Sequence, residues 1–235
     1  MEEVMRQALL RSYDLRTKAG EDQKKRGRTD MGNRSQTTSG RHMDEIARII
    51  ADDIRDMGVS PDSLFLKNGN TIPGWFRATK RWDVLAFGGD QLIAAIELKT
   101  ISSSYGKNTN NRVEEAIGDA VDADFAVKRD LLNRVIPPLF AYALVVKKDA
   151  ESSGSVISKS DHFTVDPVFK DASHIDRLRI LCERLRRERV YGAVWFVVVD
   201  PVSGEVSEPV PELSYDSFLA EIRGKVRVFD ISPTI

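Results

Sequence analysis

The chain reads as an α/β protein built on a mixed β-sheet with helices on both faces. Three observations predict this. Strand-like apolar runs alternate with amphipathic helical ones along the chain. Val190–Asp200 (VYGAVWFVVVD) is almost wholly apolar, as a strand buried on both faces must be. Arg81–Thr100 (RWDVLAFGGDQLIAAIELKT) carries two apolar arms around Gly88-Gly89-Asp90, a tight hairpin turn. With 235 residues, 41% hydrophobic and 30% charged, the chain fits one large domain with a sizeable core.

Residues 1–16 predict a helix, since Val4, Ala8, Leu9 and Leu15 recur near a 3.6-residue period. Residues 17–42 are polar and glycine-dotted, with Met31 the one large aliphatic side chain, and read as a connector. Met43, Ile46, Ile50, Ile54 and Met57 form a helical stripe that Gly58 stops, and Ser60-Pro61-Asp62 makes a turn. After the hairpin, a helix is expected from about Asn111 to Asn133, its stripe being Val113, Ile117 and Ala120. A strand, Leu139–Val146, follows Pro137-Pro138. A polar loop (Lys147–Ser160) then leads to a helix over Ser173–Arg189 and to the doubly buried strand. A turn at Pro201–Gly204, a short helix at Tyr215–Arg223 and a last strand at Lys225–Asp230 complete the expectation.

No apolar run reaches the roughly 18 residues that a membrane span needs. The acidic, amphipathic start lacks the apolar core of a secretory signal, so a cytoplasmic location is expected. A single cysteine, Cys182, excludes an internal disulfide and a cysteine-based zinc site, and His42, His162 and His174 are scattered. The net charge of −1 argues against a protein held on polyanions by bulk charge, while leaving room for a local basic cleft. Lys24-Lys25-Arg26-Gly27-Arg28, Arg77 with Lys80-Arg81, and Arg177–Arg189 are locally basic; each also reads as a solvated face.

The hairpin raises a chemical question. Side chains alternate along a strand, so Glu97 and Lys99 share one face and Ile96 and Leu98 the other. The tight turn brings Asp83 on the first arm near Glu97 on the second. Two neighbouring carboxylates repel, so a cation must lie between them or one must hold a proton. Lys99 supplies part of that charge, and a hard divalent ion such as Mg²⁺ would supply more. A Glu-x-Lys pair on an exposed strand is common, and Asp22-Gln23-Lys24 in the connector repeats the spacing. It is the apolar strand, the hairpin and the facing aspartate that single out Glu97 and Lys99.

Asp83…Glu97-Leu98-Lys99 resembles the acid…acid-x-lysine signature of the PD-(D/E)xK nuclease superfamily, although Trp82 stands where a proline often precedes the first acid. The surrounding text is more specific. Ser39-Gly40-Arg41-His42-Met43-Asp44, Arg81-Trp82-Asp83, Ala95-Ile96-Glu97-Leu98-Lys99, Asn110-Asn111-Arg112-Val113-Glu114-Glu115-Ala116-Ile117-Gly118, His162-Phe163 and Leu181–Arg189 together resemble the XhoI-type restriction endonucleases. The likeness covers about residues 30–200 and, with the Ser214-Tyr215 helix, nearly the full chain.

That resemblance implies a restriction-endonuclease-like core over residues 43–235, in a single domain that also holds the 1–16 helix and the 17–42 connector. It implies a homodimeric type II enzyme that hydrolyses both strands of a palindromic duplex, CTCGAG in the XhoI type, alongside a methyltransferase that protects host DNA. Asp83 and Glu97, with the Leu98 carbonyl, would hold Mg²⁺, and Lys99 would orient and help deprotonate the attacking water. Asp44 and Glu45 are candidates for a further acid on the preceding helix; an acidic first turn complementing the helix dipole explains both equally well.

Ser103, Ser104, Tyr105 and Lys107, just after the catalytic lysine, suit contacts to the DNA backbone. Asn110, Asn111 and Arg112, expected at a helix start, would meet base edges or phosphates, or serve as caps. Lys24, Lys25, Arg26 and Arg28 would wrap the duplex, and Glu114 or Glu115 would support the site from behind or face solvent. Two other readings are a repair or recombination nuclease of the same superfamily, which cuts by DNA structure, and a non-catalytic DNA-binding module. Intact Asp83, Glu97 and Lys99 speak against the latter.

Overall fold

A computed structural model of the chain describes residues 1–13, 43–132 and 136–231. Helix α1 spans residues 3–13 and α2 Asp44–Asp56. Strands β1 (Leu64–Phe65), β2 (Thr71–Pro73), β3 (Thr79–Arg81), β4 (Val84–Gly88) and β5 (Gln91–Ile101) follow, then the long helix α3 (Tyr105–Lys128). The chain continues through β6 (Leu139–Lys147), one turn of helix α4 (Ala150–Ser153), α5 (His174–Arg187), β7 (Ala193–Asp200), β8 (Glu205–Ser207) and α6 (Tyr215–Ile231).

The main sheet has the order β1-β4-β5-β6-β7-β8, and β2 and β3 form a separate antiparallel hairpin. The pairs β5/β6 and β6/β7 are parallel, and α3 and α5 lie in the long crossovers that parallel neighbours require. The flanking pairs β1/β4, β4/β5 and β7/β8 are antiparallel. The sheet is thus mixed, with helices on both faces, as the sequence predicts.

Strand alternation divides the core in two. On one face Ile96, Leu98, Ala143, Trp195 and Val197 pack against Leu9, Ile46, Ile50, Phe218 and Ile222 of α1, α2 and α6. On the other, Ala95, Tyr142, Leu144 and Phe196 meet Ala116, Ala120, Leu178 and Leu185 of α3 and α5. Ile46, Ile50 and Ile54 are fully buried, and each contributes about 1.5–3 kcal/mol toward seating α2. Cys182 is a buried free thiol of the second core, and Trp82 and Trp195 are buried as well, whereas Trp75 is half exposed.

Expectations at three helices need correction. The helix and strand expected over Tyr215–Arg223 and Lys225–Asp230 are one helix, α6. Phe218, Ile222 and Val226 repeat every fourth residue and are all buried, and that stripe outweighs the helix cost of Gly224, about 1 kcal/mol. Helix α3 begins at Tyr105, not at Asn111, after Ser104 turns the chain with φ 52°. Its packed face is also rotated: Ala116, Asp119, Ala120, Asp122, Ala123 and Ala126 are buried, while Ile117 is 45% exposed. In α1, Met5, Ala8 and Leu9 face the core and Val4 faces solvent; Leu15 lies outside the described residues.

Gly224 is exposed, and an added methyl group there would meet nothing within 4 Å. Gly224→Ala should therefore stabilise the fold by about 0.5–1 kcal/mol in reversible urea unfolding. No gain, or a loss, would contradict a continuous α6.

Candidate active site

The site forms where β4 and β5 part. Their ladder ends at Val84 opposite Ile96, with one further bond from the Asp83 N–H to the Ile96 carbonyl (3.1 Å). Beyond it β5 runs on to Ile101 beside β6, without β4 on its other edge. One more step of the same register sets Asp83 opposite Glu97. The Leu98 amide, left without a strand partner, donates to Asp83 Oδ2 at 2.7 Å. A carboxylate thus satisfies the backbone group that strand divergence leaves unpaired.

Glu97 points toward α3, and its side chain is only 6% exposed. A lone buried carboxylate costs several kcal/mol. Here both oxygens are paired: Lys99 Nζ donates to Oε1, and Lys80 Nζ donates to Oε2 at 3.0 Å. Lys80 comes from β3, lies 2.9 Å from Asp119 Oδ2 and sits 4.8 Å from the centre of the Trp82 ring. Arg77 in turn bridges Asp119 and Asp122, at 3.1 Å each. Asp122 Oδ1 also accepts the N–H groups of Trp75 (2.8 Å) and Phe76 (2.6 Å), clamping the tip of the β2–β3 hairpin onto α3. Gly74 permits that approach, because a methyl group there would lie 2.3 Å from Asp122 Oδ2. Glu115 closes the far side, 3.8 Å from Lys99 and paired with Arg112.

Burial, and then the charge of Glu97, push the Asp83 carboxyl up to about 6; the Leu98 N–H, Lys99 and Lys80 offset only part of this. For Lys99, burial alone would favour the neutral amine, but the charge and hydrogen bond of Glu97, with Glu115 and Asp83, reverse that and raise its pKa. Lys99 is therefore an ammonium at neutral pH. Four cations (Lys80, Lys99, Arg77, Arg112) face five carboxylates (Asp83, Glu97, Glu115, Asp119, Asp122). The cluster carries an excess of acid.

Carboxylate oxygens of this kind suit a hard cation. Among the described residues, no three acids, histidines or cysteines converge into a closed metal cage. An ion here would take two carboxylates and complete its shell with water and phosphate oxygens, the habit of Mg²⁺. Asp83 also lines a cavity of about 620 Å³ together with Asp44, Arg48, Lys67 and Arg81. Asp44 pairs with Lys67 (2.8 Å) on that wall, whereas Glu45 is tied to Arg11 (2.7 Å). Of the two helix acids, Asp44 is the one that shares a cavity with Asp83.

The other expected residues separate clearly. Ser103, Ser104 and Lys107 are exposed at the start of α3. Tyr105 is fully buried, its hydroxyl donating to the Lys147 carbonyl (3.0 Å) and to Asp149 (3.2 Å), so its ring locks the helix start and faces no ligand. Asn110, Asn111 and Arg112 lie in the second turn of α3, which removes the capping and helix-start readings. Glu115, not Glu114, reaches Lys99. Lys24, Lys25, Arg26 and Arg28 lie outside the described residues. In the basic α5 segment, Arg179, Arg184 and Arg186 pair with Glu183, Asp166 and Glu221.

Sequence reasoning missed Lys80, Asp119 and Asp122 as members of this network. Its signal was the spacing Glu115, Asp119, Asp122, which sets three acids along one helix face among buried alanines.

The comparisons with known proteins point the same way. The family model described as restriction endonuclease XhoI matches residues 22–208. The type II restriction enzyme XhoI of Xanthomonas vasicola is 38% identical over 186 residues, 77% of this chain and 74% of that one. The type II restriction enzyme BstVI of Geobacillus stearothermophilus is 33% identical over 199 residues (81% and 89%). The type II restriction enzyme AbrI of Azospirillum brasilense is 32% identical over 164 residues (69% and 73%). No solved structure matches significantly. No helix among the described residues is long and apolar enough to cross a membrane. The family shown by this match accords with the mixed sheet and the resemblance read from the sequence, and the chain belongs to the XhoI restriction endonucleases, a family of type II restriction enzymes.

Proposed function

We propose that this chain is a Mg²⁺-dependent deoxyribonuclease that cuts both strands of a palindromic duplex, CTCGAG by the family resemblance. The observation that carries the reading is the meeting of Asp83, Glu97 and Lys99 where β4 and β5 diverge, in a member of a restriction endonuclease family. Asp83 and Glu97, with the Leu98 carbonyl and Asp44 beside them, would hold the ion. When bound, it supplies positive charge to the phosphate oxygens and acidifies a water.

Lys99, an ammonium at neutral pH, donates to the scissile phosphate and stabilises the hydroxide form of the attacking water without itself serving as a base. The water oxygen, its proton given up to solvent, bonds to phosphorus as the P–O3′ bond breaks and O3′ takes a proton from solvent, leaving 5′-phosphate and 3′-hydroxyl ends. Ser103, Ser104, Lys107, Asn110, Asn111 and Arg112 are offered as DNA contacts along the start of α3, joined by Lys24, Lys25, Arg26 and Arg28 from the connector. A palindrome presents two equivalent scissile bonds and each chain brings one site, so a two-fold homodimer is the economical assembly. A methyltransferase reading the same site would be its functional partner in a cytoplasmic restriction system.

Purified protein with Mg²⁺ should cut plasmid DNA into discrete fragments with a single end sequence. Lys99→Ala should lower the single-turnover rate by about 100- to 1,000-fold with the fold intact. Cleavage undiminished in Lys99→Ala would remove the site assignment. Ends scattered in sequence but gathered at branches would favour the repair-type nuclease, and metal-independent binding without cutting would favour the non-catalytic module.

Asp83 gives a pH signature. Its folded pKa, about 6, lies above the ordinary 3.8. Its contribution thus favours the fold fully below 3.8 and is lost as pH rises through about 6, where the ionised carboxylate confronts Glu97. In EDTA, Asp83→Asn should melt higher than the parent above pH of about 6, and the gain should shrink as pH falls toward 3.8. A gain independent of pH would contradict this electrostatic account.

A further inference from the structure

We propose that Lys80 is the positioning residue for Glu97: it keeps the Oε2 edge of that carboxylate, so that Lys99 can release Oε1 to a cation and turn to the phosphate. The inference deepens the function proposed above and rests on it.

Both Glu97 oxygens are occupied by lysines, one each. The two lysines differ in how they are held. The Lys99 side chain is 22% exposed, and its other acidic partner, Glu115, is itself 43% exposed and shared with Arg112. The Lys80 side chain is 9% exposed, with Glu97 and the 8% exposed Asp119 on two sides and the Trp82 ring on a third. Arg77 braces Asp119, and Asp122 ties the hairpin that carries Lys80 to α3. One lysine is held by two buried carboxylates and a ring; the other is more exposed and holds one buried carboxylate.

The reaction needs this asymmetry. A cation can take Glu97 Oε1 only if Lys99, which holds that oxygen, gives it up. Once Lys99 turns away, a buried Glu97 with no other partner would be free to rotate, carrying a bound ion out of line with the phosphate. Lys80 prevents this. An ammonium suits the task because its three donors splay, reaching two carboxylates from one atom, where a planar guanidinium would claim both oxygens of one. The division of labour also accounts for a second lysine beside a site whose motif contains one.

The test separates positioning from metal affinity and from stability. Lys80→Met, Lys80→Arg and Asp119→Asn are compared with the parent by single-turnover cleavage of a duplex across a Mg²⁺ series. Calorimetric Mg²⁺ titration of the DNA-free proteins and thermal melting accompany it. Lys80→Met is expected to lose about 10- to 100-fold in rate at saturating Mg²⁺. Its calorimetric affinity should be no weaker, since a cation has been removed from beside the ion, and Lys80→Arg should recover part of the rate. A rate equal to the parent's, or a loss wholly recovered by more Mg²⁺ together with weaker calorimetric binding, overturns the proposal. Should Lys80→Met fail to fold, Asp119→Asn is read the same way: a smaller loss of rate at saturating Mg²⁺ supports it, and an unaltered rate overturns it. If the parent itself cuts no duplex with Mg²⁺, the functional reading falls first, before any variant is compared.

Discussion

A carboxylate buried at Glu97 is the constraint around which this half of the molecule is arranged. It sits in the middle strand region of a sheet whose neighbours on the same face are Ala95, Tyr142 and Leu144, so water cannot solvate it. Its two oxygens must find cations within the protein. One is two residues away on the same strand; the other comes from a hairpin outside the main sheet, and that lysine requires an acid of its own on α3. Thus β5, the β2–β3 hairpin and α3, which share no backbone ladder, are joined through charge. The position of α3 over the sheet is set by small residues, Ala116, Ala120 and Ala123, which let the helix come close enough for Asp119 and Asp122 to reach the hairpin.

The sheet supplies the other half of the arrangement. A parallel pair such as β5/β6 can run on after the antiparallel β4 has turned away, and the bare edge that results is where Asp83 bonds the Leu98 amide. This edge is open to a ligand on one side and braced by the parallel ladder on the other, a combination that two antiparallel strands in full register would not offer. A near-neutral net charge is compatible with such a site because the acids and bases are concentrated and mutually paired, leaving the whole-molecule balance near zero.

Much of the fold was legible in the sequence because period and burial agree there. The α2 stripe, the hairpin arms and the β7 run are patterns whose apolar residues are buried where the period says they should be, with Met57 and Phe87 partly so. The failures have different causes. At α3 the visible apolar residues, Val113 and Ile117, suggested a face that the structure turns partly to solvent, because the true packed face contains two aspartates whose burial only tertiary ion pairs permit. At α6 a helix to Arg223 and a strand from Lys225 were expected, yet the i, i+4 partners of Val226 lie upstream, across Gly224, and hold one continuous helix. Within the site, Asp83, Glu97 and Lys99 could be found because neighbouring strands bring them together in a hairpin of short loop. Lys80 could not, since its contact with Glu97 spans two hairpins and depends on the placement of α3.

Stability does not account for keeping so many charges inside. Replacing a buried ion pair with well-packed apolar side chains is commonly neutral or favourable, by about 1–4 kcal/mol. The network departs from that economy in a patterned way. Its fixed members, Lys80, Asp119, Asp122 and Arg77, satisfy one another, whereas its most strained acid, Asp83, lies beside the cavity with its proton affinity raised. Among the described members of the network, Asp83 is the acid whose proton affinity is raised, by burial first and by the charge of Glu97 second, and it borders the cavity. A scaffold of paired charge around a single under-compensated carboxylate is the arrangement a binding site for a positive ion would need, and it is the physical argument behind the proposed chemistry.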